Sequence, residues 1–213
     1  MATFKDYLAT LSFWVRMKMR HEALKRFSES GNAFVLAFFF GFFDATFFYI
    51  SPMVYFLFTV IFSPLCGFIH LIAAFVGTIA GSFVMYNLAG DFGSAVNKIL
   101  LNNPGVTEGM VSFVRNGYFT SVSKTFLASF WTIIPIKVYA VQAGIAGISL
   151  RQFIAGFFPL LFIKLLIFFA VFLFIGRFFN AFIKRKTDIF FCLYALFWVI
   201  FYFLYFAKIR SIY

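Results

Sequence analysis

Long apolar runs separated by short polar stretches dominate the pattern of the chain. Apolar residues fill 33–63, 67–90, 119–147, 151–177 and 188–207, and most of these runs approach or exceed the roughly 20 residues that cross a bilayer. The second, fourth and fifth runs are continuous enough to predict transmembrane helices. The first and third runs are each interrupted in the middle.

The two interrupted runs predict re-entrant hairpins. Asp44 and Ser51-Pro52 break the run at 33–63, here the first broken run. Pro135 and Lys137 break the run at 119–147, here the second broken run. Each half of a broken run has roughly a dozen residues, which is too few to cross a bilayer alone. Irregular backbone at that depth is tolerated only where protein or water surrounds it.

The order of segments occurs twice. A broken run followed by a continuous run occupies 33–90, which is 58 residues, and 119–177, which is 59 residues. Proline-interrupted apolar segments at corresponding positions of two halves indicate an inverted-repeat transporter. We therefore predict an all-α integral membrane protein, in which a re-entrant hairpin plus a transmembrane helix is repeated with inverted topology across a membrane domain at 33–177.

The two ends flank this domain. Residues 1–32 predict an amphipathic helix on the membrane surface, because apolar residues recur on one side at helical spacing beside several Lys and Arg. Residues 178–213 predict a basic loop and an extra C-terminal transmembrane helix. Small residues predict close helix packing; they are Gly77, Gly81 and Gly144.

Composition and charge agree with a membrane protein. The chain is 63% hydrophobic and its mean hydropathy is +0.97, whereas soluble domains are nearer half apolar. The net charge of +11 gathers in the first 30 residues, at 184–186 and at the C-terminus. Positive charge beside apolar segments is typical of cytoplasmic loops, so we expect no nucleic-acid partner. The rule places 1–30 and 184–186 inside and the linker 91–118 outside, and we expect the bacterial cytoplasmic (inner) membrane.

Two charges lie nearest the predicted hairpin tips. Asp44 belongs to the first hairpin and Lys137 to the second, and a lone charge at the bilayer centre costs about 2.5–3.5 kcal/mol. We therefore expect both to face a shared polar cavity that binds substrate and protons, with Pro52 and Pro135 at the same tips. The alternative is that Lys137 reaches a headgroup and Asp44 caps a half-helix. Lys164, deep in a predicted span, is expected to hold a lipid phosphate or a carboxylate.

Other chemistry is not indicated. Cys66 and Cys192 offer neither a disulfide framework nor metal-ligand spacing, and Cys66 with His70 makes a poor metal site. No phosphate-binding loop, dinucleotide fingerprint or nucleophile elbow is present. We expect no enzyme activity, cofactor or metal.

Three stretches resemble a known family. "FDATFFYISPMVYF", "VGTIAGSFVMYNLAGDFG" and "TIIPIKVYAVQAGIAGISLRQF" are similar to successive motifs of the DedA superfamily, also called the SNARE-associated or VTT-domain family, and most similar to its small YqaA-like branch. The resemblance covers roughly 33–177. It implies two re-entrant hairpins, movement of lipids between leaflets, and functional roles for Asp44 and Lys137. Many members also carry an Arg before the second proline, where this chain has 131–134 as Trp-Thr-Ile-Ile, so the lipid stays unspecified.

The sequence thus favours a lipid transporter or scramblase that moves a phosphate-bearing lipid. Lys137, with Lys164 behind it, would hold the phosphate, and Asp44 would exchange a proton. A proton-coupled carrier of a small solute and a non-transporting membrane scaffold remain open. The expected partners are membrane lipids with phosphate headgroups and protons, and the oligomeric state is open, a homo-oligomer being one option.

Overall fold

The computed structural model describes residues 21–48, 51–103 and 105–212. This part of the chain is helical and contains no strand, which confirms the predicted all-α class. The helices are α1 (Gly31–Ala45), α2 (Met53–Phe62), α3 (Pro64–Leu101), α4 (Glu108–Thr120), α5 (Val122–Ser129), α6 (Ile136–Ile145), α7 (Leu150–Phe178), α8 (Asn180–Arg185) and α9 (Thr187–Ile212).

Three helices are long and apolar enough to cross a membrane, namely α3, α7 and α9. They contain the spans predicted at 67–90, 151–177 and 188–207, and the prediction of an integral membrane protein is confirmed. Helix α3 runs further than predicted, to Leu101, because the chain resumes helical geometry after a break at Phe92 (φ −128°, ψ 38°). Such a local break redirects the helix axis without ending the helix.

Six of the described helices are too short to cross, and four of them lie in the two broken runs. Helix α1 has 15 residues and α2 has 10, which correspond to about 22 and 15 Å. Helices α5 and α6 have 8 and 10 residues. Pro52 immediately precedes α2 and Pro135 immediately precedes α6, where a missing backbone N–H costs no helical hydrogen bond. In each broken run, two short helices therefore precede a long helix; the additional short helix α4 lies between the two repeats.

Helix α3 lies at the centre of the packing. It contacts α1 and α2 from its own half and α6 from the other, and α7 contacts α5 from its own half and α2 from the other. Helix α3 thus packs against α6, and α7 packs against α2. In each case the partner is the short helix that directly precedes the long helix of the opposite half. This exchange brings the segment before α2 and the segment before α6 into one region.

Glycines allow the closest of these contacts. A Cβ atom on Gly77 would overlap the carbonyl group of Phe38 in α1, and one on Gly81 would meet Phe42. A Cβ atom on Gly144 in α6 would overlap the carbonyl group of Tyr86 in α3. The structure thus places all three glycines that were assigned to packing at contacts where backbones touch.

We expect Gly77→Ala to lower the melting temperature of the purified protein, because the added methyl group forces α1 and α3 apart. Overpacking of this kind costs about 1–3 kcal/mol. The matched control is Gly90→Ala in the same helix, where a Cβ atom meets nothing within 4 Å; it should be neutral or slightly stabilising. Equal melting temperatures for the two variants would contradict the close packing.

The structure describes only part of the predicted N-terminal helix, because residues 1–20 lie outside the described residues. The chain is helical over 21–28, and Ser30 begins α1 by accepting a hydrogen bond from the Ala33 N–H (3.3 Å). The ring of His21 lies 5.4 Å from that of Phe62, and burial together with the Lys184 charge lowers the pKa of His21. The segment 21–28 therefore lies beside the end of α2 and the basic residues of α8.

Candidate functional site

Asp44 lies in the last turn of α1, just before the residues that lead to α2; the described ones among these, 46–48 and 51–52, are here called the first tip. The end of α1 is closed by Thr46, whose hydroxyl donates to the carbonyl oxygens of Phe42 (3.1 Å) and Phe43 (3.2 Å). No described residue donates a hydrogen bond to the Asp44 carboxylate, which keeps partial exposure. A carboxylate is also disfavoured by the dipole at a helix C-terminus, so neither the helix nor a cap accounts for Asp44.

Lys137 lies in the first turn of α6, just after the segment 130–135 that follows α5, here called the second tip. Its exposed fraction is 0%, so it does not reach a headgroup region in this structure. Its Nζ donates a hydrogen bond to the carbonyl oxygen of Phe48 in the first tip (2.6 Å). A buried ammonium group is costly unless it is paired and hydrogen-bonded, and a cation opposes the dipole at a helix N-terminus. The Phe48 carbonyl offsets part of this cost.

The structure brings Asp44 and Lys137 together. Lys137 bonds to the carbonyl oxygen of Phe48, four positions after Asp44, although Asp44 and Lys137 are 93 positions apart along the chain. Within the described residues, no ion pair shorter than 4 Å joins the carboxylate and the ammonium group. The arrangement therefore places opposite charges in one region without binding them directly to each other.

Sequence reasoning missed two polar residues that bond to the first tip, Tyr202 and Asn103. The N–H of Ser51 donates to the hydroxyl of Tyr202 in α9 (3.0 Å), and Asn103 donates from its side-chain amide to the carbonyl oxygen of Phe47. Both lie outside the two broken runs. Tyr202 could have been found from the sequence, because Tyr194, Tyr202 and Tyr205 recur at the spacing of one helix face. Asn103 lies in a turn that no pattern connected to Asp44.

Two concave spaces lie beside this region. A cavity of about 210 Å³ touches the first tip and the ends of α3; its lining includes Thr46, Phe47, Met85, Ile99, Leu100, Asn102 and Asn103. An apolar groove of about 390 Å³ runs between α1, α3 and α7; its lining includes Phe42, Val76, Ile79, Ala80, Phe83, Val84, Leu150, Phe153, Ile154 and Phe158. Phe42 lies two residues before Asp44 in α1, but side chains two apart on a helix point to different faces, and the groove lining includes neither Asp44 nor Lys137.

Lys164, in α7, bonds to the backbone of the second tip. Its Nζ donates to the carbonyl oxygens of Thr132 (3.2 Å) and Ser129 (3.4 Å), at and just beyond the end of α5. A cation at a helix C-terminus is stabilised by the helix dipole, and a Lys side chain commonly binds the last carbonyl groups. The structure therefore gives Lys164 backbone partners at the second tip, and its assignment to a lipid phosphate stays a prediction.

We expect Lys164→Met to destabilise the protein, because it removes a charged donor from buried carbonyl groups, a loss of about 1.5–3 kcal/mol. Lys164→Arg should keep most of the stability. The control is Lys124→Met, which changes an exposed lysine of α5 and should have little effect. Thermal unfolding in detergent measures the difference, and equal stability of the two methionine variants would contradict the assignment.

His70, which the sequence pairs with Cys66 at a spacing of four, has a hydrogen-bonding partner in α2. The Nδ1 atom of His70 lies 3.0 Å from the hydroxyl of Thr59, at the contact between α2 and α3. Within the described part of the chain, no group of three His, Cys, Asp or Glu side chains is arranged to hold a metal ion.

Comparison with known proteins adds no relative. No protein-family model, curated protein or solved structure matches this chain. The similarity to the DedA superfamily therefore rests on the three sequence stretches alone and stays a prediction.

Proposed function

We propose that this protein moves a phosphate-bearing lipid between the leaflets of the bacterial cytoplasmic membrane, as a transporter or scramblase linked to proton exchange at Asp44. One observation carries the proposal. Lys137, a fully buried cation from the second broken run, bonds to the tip of the first broken run beside Asp44. Ionisable residues inside a membrane domain are expensive and usually mark a substrate or proton pathway.

The architecture we propose is a pair of re-entrant hairpins in an inverted repeat. Helices α1, α2, α5 and α6 are each shorter than the roughly 20 residues that a span requires. The packing of α3 on α6 and of α7 on α2 supports the repeat, because a two-fold relation between the halves exchanges these two contacts. Both tips then meet at mid-membrane depth, where transporters of this kind bind substrate.

In the mechanism, the Lys137 ammonium group exchanges the Phe48 carbonyl oxygen for a phosphate oxygen of the lipid. A Lys side chain binds phosphate as a compact charge with three donors, so it tolerates the different geometries of a moving headgroup. Asp44 takes up or releases a proton as the headgroup enters and leaves. This keeps the total charge of the region close to balanced while the substrate anion is bound.

The apolar groove favours a lipid over a small solute. Its lining is almost wholly aliphatic and aromatic, and it lies between helices whose outer faces carry exposed apolar side chains. Such a surface holds acyl chains while the headgroup lies near the tips. A carrier of small solutes instead encloses its ligand in a concave site with a few precisely placed polar groups.

Reconstitution tests the proposed function. Purified protein in liposomes should move fluorescent phosphatidylglycerol from one leaflet to the other faster than protein-free liposomes do. A fluorescent diacylglycerol, which has no phosphate, corrects for movement that needs no headgroup site. Phosphatidylglycerol movement at the protein-free rate, for wild type over a range of pH, would overturn the proposal.

The topology predicts opposite sides for two loops. In a background of Cys66→Ser and Cys192→Ser, a cysteine at Asn116 should react with an impermeant maleimide in intact cells. A cysteine at Lys186 should react only after the membrane is permeabilised, because positive loops stay inside. Reaction of both positions from the same side would contradict the inverted orientation.

A further inference from the structure

Helix α9 lies outside both broken runs, yet it contacts the tips of both. The hydroxyl of Tyr202 accepts a hydrogen bond from the Ser51 N–H in the first tip (3.0 Å). The hydroxyl of Tyr205 lies 3.4 Å from the carbonyl oxygen of Ile133 in the second tip and 3.2 Å from that of Gly105. One turn of a single helix thus bonds to backbone from each half of the membrane domain.

These contacts lie on one face of α9. Tyr194, Trp198, Tyr202 and Tyr205 follow one another at intervals of four, four and three, which is the spacing of a single helical face. Trp198 and Tyr205 are buried, whereas most of the apolar side chains around them are exposed. The hydroxyl of Tyr194 also donates to the carbonyl oxygen of Val54 in the first turn of α2 (2.7 Å). The face therefore follows the first hairpin before it reaches the second tip.

The tips need such partners. Backbone groups that are not in a helix must be satisfied inside the protein wherever a membrane surrounds it, and tyrosine supplies a hydroxyl on a rigid apolar body. The Asp44 charge also acts on Tyr202. Within the described residues, Lys137 from α6 and Tyr202 from α9 are thus the titratable groups coupled to Asp44.

We infer that α9 positions the two tips relative to each other, with Tyr202 and Tyr205 as the positioning residues of the Asp44–Lys137 site. Tyr202 holds the first tip and Tyr205 holds the second, so α9 determines how far the tips separate when a headgroup enters. The inference about tip positions stands on the contacts alone. Its consequence for lipid movement rests on the proposed function.

Hydrogen exchange tests the contacts. In lipid nanodiscs, Tyr202→Phe should raise the exchange rate of the peptide that contains Ser51 by about two- to tenfold, the effect of losing one hydrogen bond. Tyr205→Phe removes a donor from the Ile133 carbonyl oxygen, which carries no exchangeable proton, so it should raise exchange over 130–136 through more frequent opening of the second tip. The matched control is Tyr55→Phe, because the hydroxyl of Tyr55 is buried without a partner. If both variants exchange like Tyr55→Phe at the tips, the positioning role is overturned.

Lipid movement tests the consequence. Tyr202→Phe and Tyr205→Phe should each change the rate of phosphatidylglycerol movement at least about twofold, and Tyr55→Phe should not. Tyr202→Phe should also shift the pH at which the rate is half-maximal, whereas Tyr205→Phe should leave that pH unchanged. Faster exchange at the tips with wild-type rates and pH dependence would overturn control of transport by α9. If wild type moves no lipid, the proposed function fails, while the exchange rates still decide the positioning role.

Discussion

Asp44→Asn should give a folded, membrane-inserted protein whose lipid movement is slow and no longer depends on pH. Asparagine keeps the size of the side chain but cannot exchange a proton. Because Thr46 rather than Asp44 closes α1, the substitution should leave the helix end intact. We expect the rate to fall at least about tenfold at the pH optimum of wild type, which corresponds to ~1.4 kcal/mol.

Two variants make the Asp44 result specific. Asp44→Glu keeps the acid with one more methylene and should retain part of the rate. Asp91→Asn makes the same chemical change at an exposed position of α3 and should behave like wild type. Rates measured between pH 5 and 9 in the same liposomes decide the matter. An Asp44→Asn protein with wild-type rates and pH dependence would show that this carboxylate takes no part in proton exchange.

Lys137→Ala should abolish lipid movement and also lower stability. It removes the cation that we assign to the phosphate, and it leaves the Phe48 carbonyl oxygen without the ammonium donor. Losing a hydrogen bond from a charged donor costs about 1.5–3 kcal/mol, so we expect a loss of stability of this size. Transport is measured only on protein that elutes as a single species.

A double variant separates the two effects of Lys137. In Lys137→Ala with Asp44→Asn, neither opposite charge remains, so stability should recover in part relative to Lys137→Ala while transport stays absent. Arg115→Ala removes an exposed cation of α4 and should keep both. Comparable loss of transport from Arg115→Ala would indicate a general effect of charge. Normal transport by the double variant would exclude both residues from the substrate site.

Much of the fold was predictable because helix lengths and breaks depend on local sequence. Continuous apolar runs predicted α3, α7 and α9, since hydrophobic length is a property of consecutive residues. Pro52 and Pro135 predicted where the two runs break, because proline fixes its own φ angle and lacks an N–H. The extension of α3 past Phe92 was not predictable, since a break inside a helix is decided by what packs around it.

The location of Asp44 and Lys137 in one region was predictable only through the repeat. Nothing local connects two residues 93 positions apart, but corresponding breaks in two halves suggested that their tips meet. The partner that Lys137 bonds to, the Phe48 carbonyl oxygen, is a backbone group that every residue carries. No residue pattern can identify it.

The sequence by itself determined which segments are apolar enough to enter a membrane, where they break and which charges lie at the breaks, because each of these depends on neighbouring residues alone. The tertiary structure decided the partners of those charges. It placed the Lys164 ammonium group against carbonyl groups at and just beyond the end of α5. It also placed α9 against both tips through Tyr202 and Tyr205. Such contacts join residues that are distant along the chain, so no pattern of neighbouring residues can specify them.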